Sequence, residues 1–162
     1  MGEEGNRLGE VLESLRGTLE RIREVLREGQ VPEVTRSYIE HLGRSIATTI
    51  NVLEMVAREN TIQSPLSPSA RGAMYNLRRA FYATLSRLVK ESGVDRERSV
   101  ESWKAAASKI VDFINEAGIS EAPTKIVVTY EVAEEGGVKY LKLNRAEILY
   151  FELEGVKTLD LG

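Results

Sequence analysis

The stretch IVDFINEAGISEAPTKIVVTYEV, residues 110–132, contains the change of hydrophobic period that decides the fold. Before Pro123, apolar residues recur every three or four positions, which is typical of an amphipathic helix. After Pro123 they alternate with polar residues, which is typical of a strand with one buried face. We therefore predict an α+β fold that is mainly α: an antiparallel four-helix bundle over residues 1–119, then a small antiparallel β-sheet over 120–162, packed on the bundle or on a partner.

Four helices are predicted from the apolar spacing and from the glycines that follow three of the helices. They cover residues 6–28, 32–60, 68–92 and 99–117. Residues 61–68 are predicted as a loop, and Trp103 is predicted to be a core residue. The stripe expected to face the core on the second helix comprises Val34, Tyr38, Leu42, Ile46, Ile50, Leu53 and Val56.

The sheet is predicted to contain three strands and allows a fourth. The first two strands, 125–133 and 138–143, flank a Glu-Glu-Gly-Gly hairpin turn at 134–137. A tight turn at Asn144-Arg145 is predicted to lead into a third strand over 146–153. Residues 156–161 are the candidate for a short fourth strand.

The composition of the 162-residue chain excludes several classes of function. It has no cysteine, so disulfides, thiolate catalysis and cysteine-ligated zinc are ruled out. With one histidine and three aspartates it is poorly equipped for a catalytic triad or a metal cluster, and it carries no nucleotide-binding or nucleophile-elbow motif. We expect no enzymatic activity, no cofactor and no metal.

Two further expectations concern location and source. No apolar run reaches the roughly 20 residues that span a bilayer, so we expect a cytoplasmic protein without a membrane partner. The charged residues are mostly Glu and Arg, and labile amides are few, a bias common among thermophile proteins. A thermophilic, archaeal source is our hypothesis.

The third predicted helix carries the clearest local charge signal, because it has five bases and only one acid between residues 67 and 91. Arginines that alternate with tyrosines at helical spacing can hold phosphates while the rings stack on bases. The alternative is that these arginines pair with the Glu-rich first and second helices. The candidate nucleic-acid-binding residues are Arg71, Tyr75, Arg78, Arg79 and Tyr82.

One short motif allows an enzymatic interpretation. The segment RSYIEH, residues 36–41, resembles the Arg-x4-His spacing of the helical HEPN ribonucleases. The resemblance implies metal-independent RNA cleavage in which Arg36 holds phosphate and His41 exchanges a proton with the 2′-hydroxyl. It covers six residues, and a surface histidine beside a surface arginine explains the same pattern.

The sequence favours a non-enzymatic binding or assembly subunit of a larger nucleic-acid-handling complex, with the basic Arg/Tyr helix face as its contact surface. A net charge of −3 favours single-stranded nucleic acid over duplex, since a duplex binder gains from a broad basic surface. The alternatives are a protein-only oligomerisation or scaffold module and the HEPN-like ribonuclease. A protein partner or self-association is expected in the first two cases.

Overall fold

The computed structural model describes residues 2–29 and 31–162, with side chains from residue 7 onward. Within these residues the chain forms four helices and a three-stranded antiparallel sheet, which confirms the mainly helical α+β class. The chain divides into two compact units, Met1–Arg58 and Glu59–Gly162. The predicted division at residues 119/120 and the four-helix packing stay predictions.

The first unit is a helical hairpin of α1 (Gly2–Glu28) and α2 (Glu33–Ala57). Its seam buries Leu12 and Ile50. The helices approach closely at Gly43, where an added Cβ would lie 3.2 Å from the Ile22 side chain. Ile22 lies against Gly43 and Arg16 forms an ion pair with Glu54, so α1 and α2 run antiparallel, as predicted.

The predicted core stripe of α2 is wrong at its N-terminal end and at Val56, which is exposed. Val34, Tyr38 and Leu42 are exposed, Tyr38 by 74%. They lie at i, i+4 and i+8 and so share one face of the helix. Spacing shows that residues share a face, but it does not show whether another element covers that face.

The second unit contains β1 (Thr61–Gln63), α3 (Ala70–Ser92), α4 (Arg96–Glu116), β2 (Thr124–Glu135) and β3 (Val138–Tyr150). One hydrophobic core joins the two helices to the sheet. Leu77, Phe81 and Leu85 of α3 are completely buried, as the spacing predicted. Trp103 of α4 stacks on Phe81 with ring centroids 4.9 Å apart, which confirms it as a core residue.

The strand β1 corrects the prediction of a loop over 61–68. Thr61–Gln63 pairs antiparallel with β2, and Ile62 is buried. The pairing is extended by the side chain of Ser64, whose Oγ accepts the Ile126 N–H at 2.9 Å. Three residues are too short to show a strand period, so the strand was not visible in the sequence.

The predicted turn at Asn144-Arg145 is also wrong, because β3 runs without interruption from Val138 to Tyr150. The register pairs Leu143 with Tyr130 and Arg145 with Thr129, which leaves Asn144 as an extra residue in β3. This bulge shifts the alternation by one position. In the sequence, this shift of the apolar alternation looks the same as one strand ending and another beginning, which is why a turn is predicted there.

The sheet has the predicted number of three strands, but the strand beside β2 and β3 is β1. Residues 146–150, predicted to begin a separate strand, belong to β3. Residues 151–162 form no helix or strand and are exposed along their whole length, so the candidate fourth strand is absent from this structure.

Candidate nucleic-acid interface

The helix α3 has well-defined ends and one buried face. At its N-terminus the Ser69 Oγ accepts the Gly72 N–H at 3.2 Å, and at its C-terminus Gly93 adopts a left-handed conformation with φ 64°. The core residues Leu77 and Phe81 fix the rotation of the helix about its axis. Its neighbouring face, which carries Tyr75, therefore lies in the open.

Three of the five predicted contact residues lie together in a groove between α3 and α4. They are Tyr75, Arg78 and Tyr82, at i, i+3 and i+7 on one helix face. The Arg78 guanidinium lies 5.8 Å from the centroid of the Tyr82 ring, and Tyr75 is 65% exposed. We call this site the α3–α4 groove; its volume is about 460 Å³ and it is lined by Met74, Tyr75, Arg78, Tyr82, Trp103, Lys104 and Ala107.

The charge of the α3–α4 groove is positive. Arg78 and Lys104 line it, and no carboxylate does. Within the residues that the structure describes, neither cation forms an ion pair. The alternative, in which the arginines of α3 pair with the Glu-rich first and second helices, stays a prediction.

The other two predicted residues lie outside this groove. Arg71 forms an ion pair with Glu121 at 3.4 Å, and because both side chains are more than 80% exposed, the pair contributes little stability. Arg79 is exposed and has no ion pair among the described residues, but it does not line the groove.

The base Arg87, further along α3, has a structural role. Its Nη2 donates to the Tyr130 hydroxyl at 3.3 Å, and its Nη1 contacts Glu91 at 3.0 Å. The hydrogen bond to Tyr130, and then the one to Glu91, raise the pKa of Arg87 above its ordinary value. Arg87 therefore ties α3 to β2 and is not a free cation.

Sequence reasoning missed Lys104 because this residue lies on α4. Its position beside Arg78 depends on the packing of α4 against α3, which the Phe81–Trp103 stack sets. The one signal in the sequence that could have pointed to Lys104 is that it directly follows the predicted core residue Trp103. Trp103 itself is only 6% exposed, so it forms the floor of the groove and offers no free ring.

The RSYIEH segment lies on α2, where its two candidate residues are not brought together. Arg36 Nε bonds to Glu40 Oε1 at 3.0 Å on the same helix, and His41 is exposed. Five residues correspond to about 1.4 helical turns, so Arg36 and His41 point roughly 140° apart. The ribonuclease interpretation stays a prediction.

The described residues hold no group of three or more histidine, aspartate or glutamate side chains placed to bind a metal ion. Among the described helices, none combines the length and the apolar character needed to cross a bilayer.

Comparison of the chain with protein-family models, with curated proteins and with solved structures gives no match.

Proposed function

We propose that the chain is a non-enzymatic binding subunit that holds single-stranded nucleic acid in the α3–α4 groove, within a larger nucleic-acid-handling complex. The observation that carries the proposal is that two cations without ion pairs among the described residues, Arg78 and Lys104, line the same groove as Tyr75 and Tyr82. Phosphates would contact the cations, and unstacked bases would lie on the tyrosines.

The small number of cations sets the expected strength of binding. Two phosphate contacts on a single strand predict a slope of about −1.4 for log K against log salt concentration. Each base stacked on a tyrosine adds roughly 1–3 kcal/mol. Binding should therefore be weak for the isolated subunit, detectable at low salt, and tolerant of base sequence.

Fluorescence anisotropy with a labelled single-stranded oligonucleotide tests this proposal. Arg78→Glu should weaken binding about tenfold or more, because it replaces a groove cation by an anion. Arg79→Glu is the matched control, since it makes the same charge change one residue away, outside the groove. Tyr75→Ala should also weaken binding, with little change in the salt slope.

Two results would contradict the nucleic-acid proposal. One is the absence of binding at low salt. The other is an equal loss for Arg78→Glu and Arg79→Glu, which would indicate a general charge effect without a defined groove.

The exposed stripe of α2 favours a second candidate, a protein-only oligomerisation or scaffold module. Val34, Tyr38 and Leu42 place three large apolar side chains on one exposed helix face, and such patches mark protein contacts. Under this proposal, Tyr38→Lys should lower the average mass measured by sedimentation at high protein concentration. An unchanged mass would exclude this stripe as a self-association surface.

A further inference from the structure

The strand β3 forms one edge of the sheet, and α4 covers only its first half. The N–H of Leu141 donates to Ser99 Oγ at 2.9 Å, and the N–H of Leu143 donates to Ser102 Oγ at 3.3 Å. These hydroxyls on α4 take the place of a neighbouring strand. The edge is therefore closed as far as Leu143.

Beyond the bulge the same edge is open. In β2, the C=O of Ile126 and the N–H of Tyr130 form hydrogen bonds on the side of β1. Successive residues of a strand direct their backbone groups to opposite sides, so the odd-numbered residues of β2 between them bond to β3. Their partners in β3 are the odd-numbered residues 145 and 147. The backbone groups of Ala146 and Ile148 consequently point to the free edge, and no hydrogen bond from the described part of the chain satisfies them.

An apolar groove of about 490 Å³ lies between this open edge and α4. Ile148 and Tyr150 line it from the strand, and Ile110 and Phe113 line it from the helix. Phe113 is 57% exposed. We call this site the α4–β3 groove.

The α4–β3 groove continues into a second cavity of about 450 Å³ along the same two elements, and the two cavities share Lys109, Ile110 and Ala146. Three cations that line the second cavity, Arg98, Lys142 and Arg145, form ion pairs with Glu135, Glu131 and Glu147. Their charge is therefore already partnered, and the apolar α4–β3 groove is the part of this surface that an added strand would cover.

The segment 151–162 is apolar at alternate positions near both of its ends. Phe151, Leu153, Leu159 and Leu161 lie at odd positions and acids lie at the even positions 152, 154 and 160, whereas Val156 and Lys157 interrupt the alternation. In an extended strand, alternate side chains lie on opposite faces, so the four apolar residues share one face with Lys157, and the acids lie on the other face. All twelve residues are exposed in the structure, Leu161 by 90%.

We propose that residues 151–162 of a second copy of this chain add to the free edge of β3 as an extra strand. The open backbone groups of Ala146 and Ile148 supply the ladder bonds, and the apolar face covers Phe113. Reciprocal exchange gives a symmetric dimer with two identical contacts.

The direction of the chain after β3 favours the second copy over the segment's own groove. The Phe151 N–H bonds to Pro123 O at 3.0 Å, so the chain continues straight along β2 past the end of β3. To return to its own edge, the segment would have to turn within residues 152–155. That turn would withdraw Phe151 and Leu153 from the apolar face, whereas a second copy presents the whole face.

Light scattering coupled to size exclusion tests the exchange. The average mass should rise from 18.1 kDa toward twice that value as the protein concentration increases. Ala146→Pro removes one edge donor, and because that N–H points away from β2, the sheet should still form. This variant should be monomeric, and so should a chain ending at Tyr150.

Complementation gives the sharpest test. The Ala146→Pro chain keeps its segment, and the chain ending at Tyr150 keeps its edge, so a mixture should form a one-to-one heterodimer although each is monomeric alone. Phe113→Glu provides a second groove variant if Ala146→Pro fails to fold, as judged by Trp103 fluorescence. Val111→Glu, an exposed position on α4 outside the groove, is its control and should leave the dimer intact.

Three outcomes would overturn the proposal. The first is a constant mass of 18.1 kDa at high concentration, which includes the case of a segment docked on its own edge. The second is a dimer that survives both Ala146→Pro and removal of the segment. The third is a dimer abolished by Tyr38→Lys, which would place the interface on α2.

Discussion

Ser99→Ala removes a hydroxyl that joins α4 to the edge of β3. Ser99 is fully buried, and its Oγ accepts the N–H of Leu141, a residue that is also fully buried. A buried donor left without a partner destabilises the fold by about 1–3 kcal/mol. Alanine recovers about 0.5 kcal/mol through its higher helix propensity. We expect a net loss of about 1.5 kcal/mol in the free energy of unfolding.

Urea denaturation followed by tryptophan fluorescence measures this loss. Trp103 is the one tryptophan in the chain and lies in the core of the second unit, so the signal reports the unfolding of that unit. With a denaturant slope of about 1.5 kcal/mol per molar, the midpoint should fall by roughly 1 M. The slope itself should not change.

Ser102→Ala is the matched control, one helical turn further along α4. Its Oγ accepts the Leu143 N–H at a longer distance, 3.3 Å, and Leu143 is only partly buried. Water can satisfy that N–H when the hydroxyl is removed, so we expect a change of less than about 0.5 kcal/mol. Equal shifts for the two variants would refute the argument that burial of the orphaned donor sets the loss.

Three further predictions concern other parts of the chain. Gly43→Leu should destabilise the α1–α2 hairpin by about 1–3 kcal/mol, because even a Cβ there lies 3.2 Å from Ile22, and thermal melting followed by circular dichroism at 222 nm should show the loss. Phe81→Ala should destabilise the second unit by about 3–5 kcal/mol and change the emission of Trp103, which loses its stacking partner; an unchanged spectrum would argue against the stack. RNA incubated in EDTA should stay equally intact with the His41→Ala variant and with the unmutated protein, and cleavage that depends on His41 would support the ribonuclease interpretation.

The helices and their buried faces could largely be predicted from the sequence. On α3 one side packs against a sheet and the other meets solvent, so the spacing of Leu77, Phe81 and Leu85 records the burial directly. The same argument failed on α2, where Tyr38 follows the pattern but is exposed. Periodicity identifies an apolar face, and tertiary packing decides whether that face is covered.

The sheet could be predicted only in part, because two of its features depend on pairing. Thr61–Gln63 becomes a strand through bonds to residues more than 60 positions away, and nothing local marks it. The candidate site shows the same limit. Tyr75 and Arg78 share a helix and were found by their spacing, whereas Lys104 reaches the groove from another helix.

The extra residue in β3, Asn144, has a consequence for how this chain can vary in length. Leu141 and Leu143 lie on the core side at odd positions, and Ile148 does so at an even position, because the bulge resets the count between them. Deleting Asn144 alone would join Leu143 directly to Arg145, whose partners Tyr130 and Thr129 are already adjacent in β2, so Ile148 would stay on the core side. Asn144 is therefore the position of β3 where loss of a single residue should be tolerated, whereas deleting a paired residue on either side of it would reverse the faces of part of the strand.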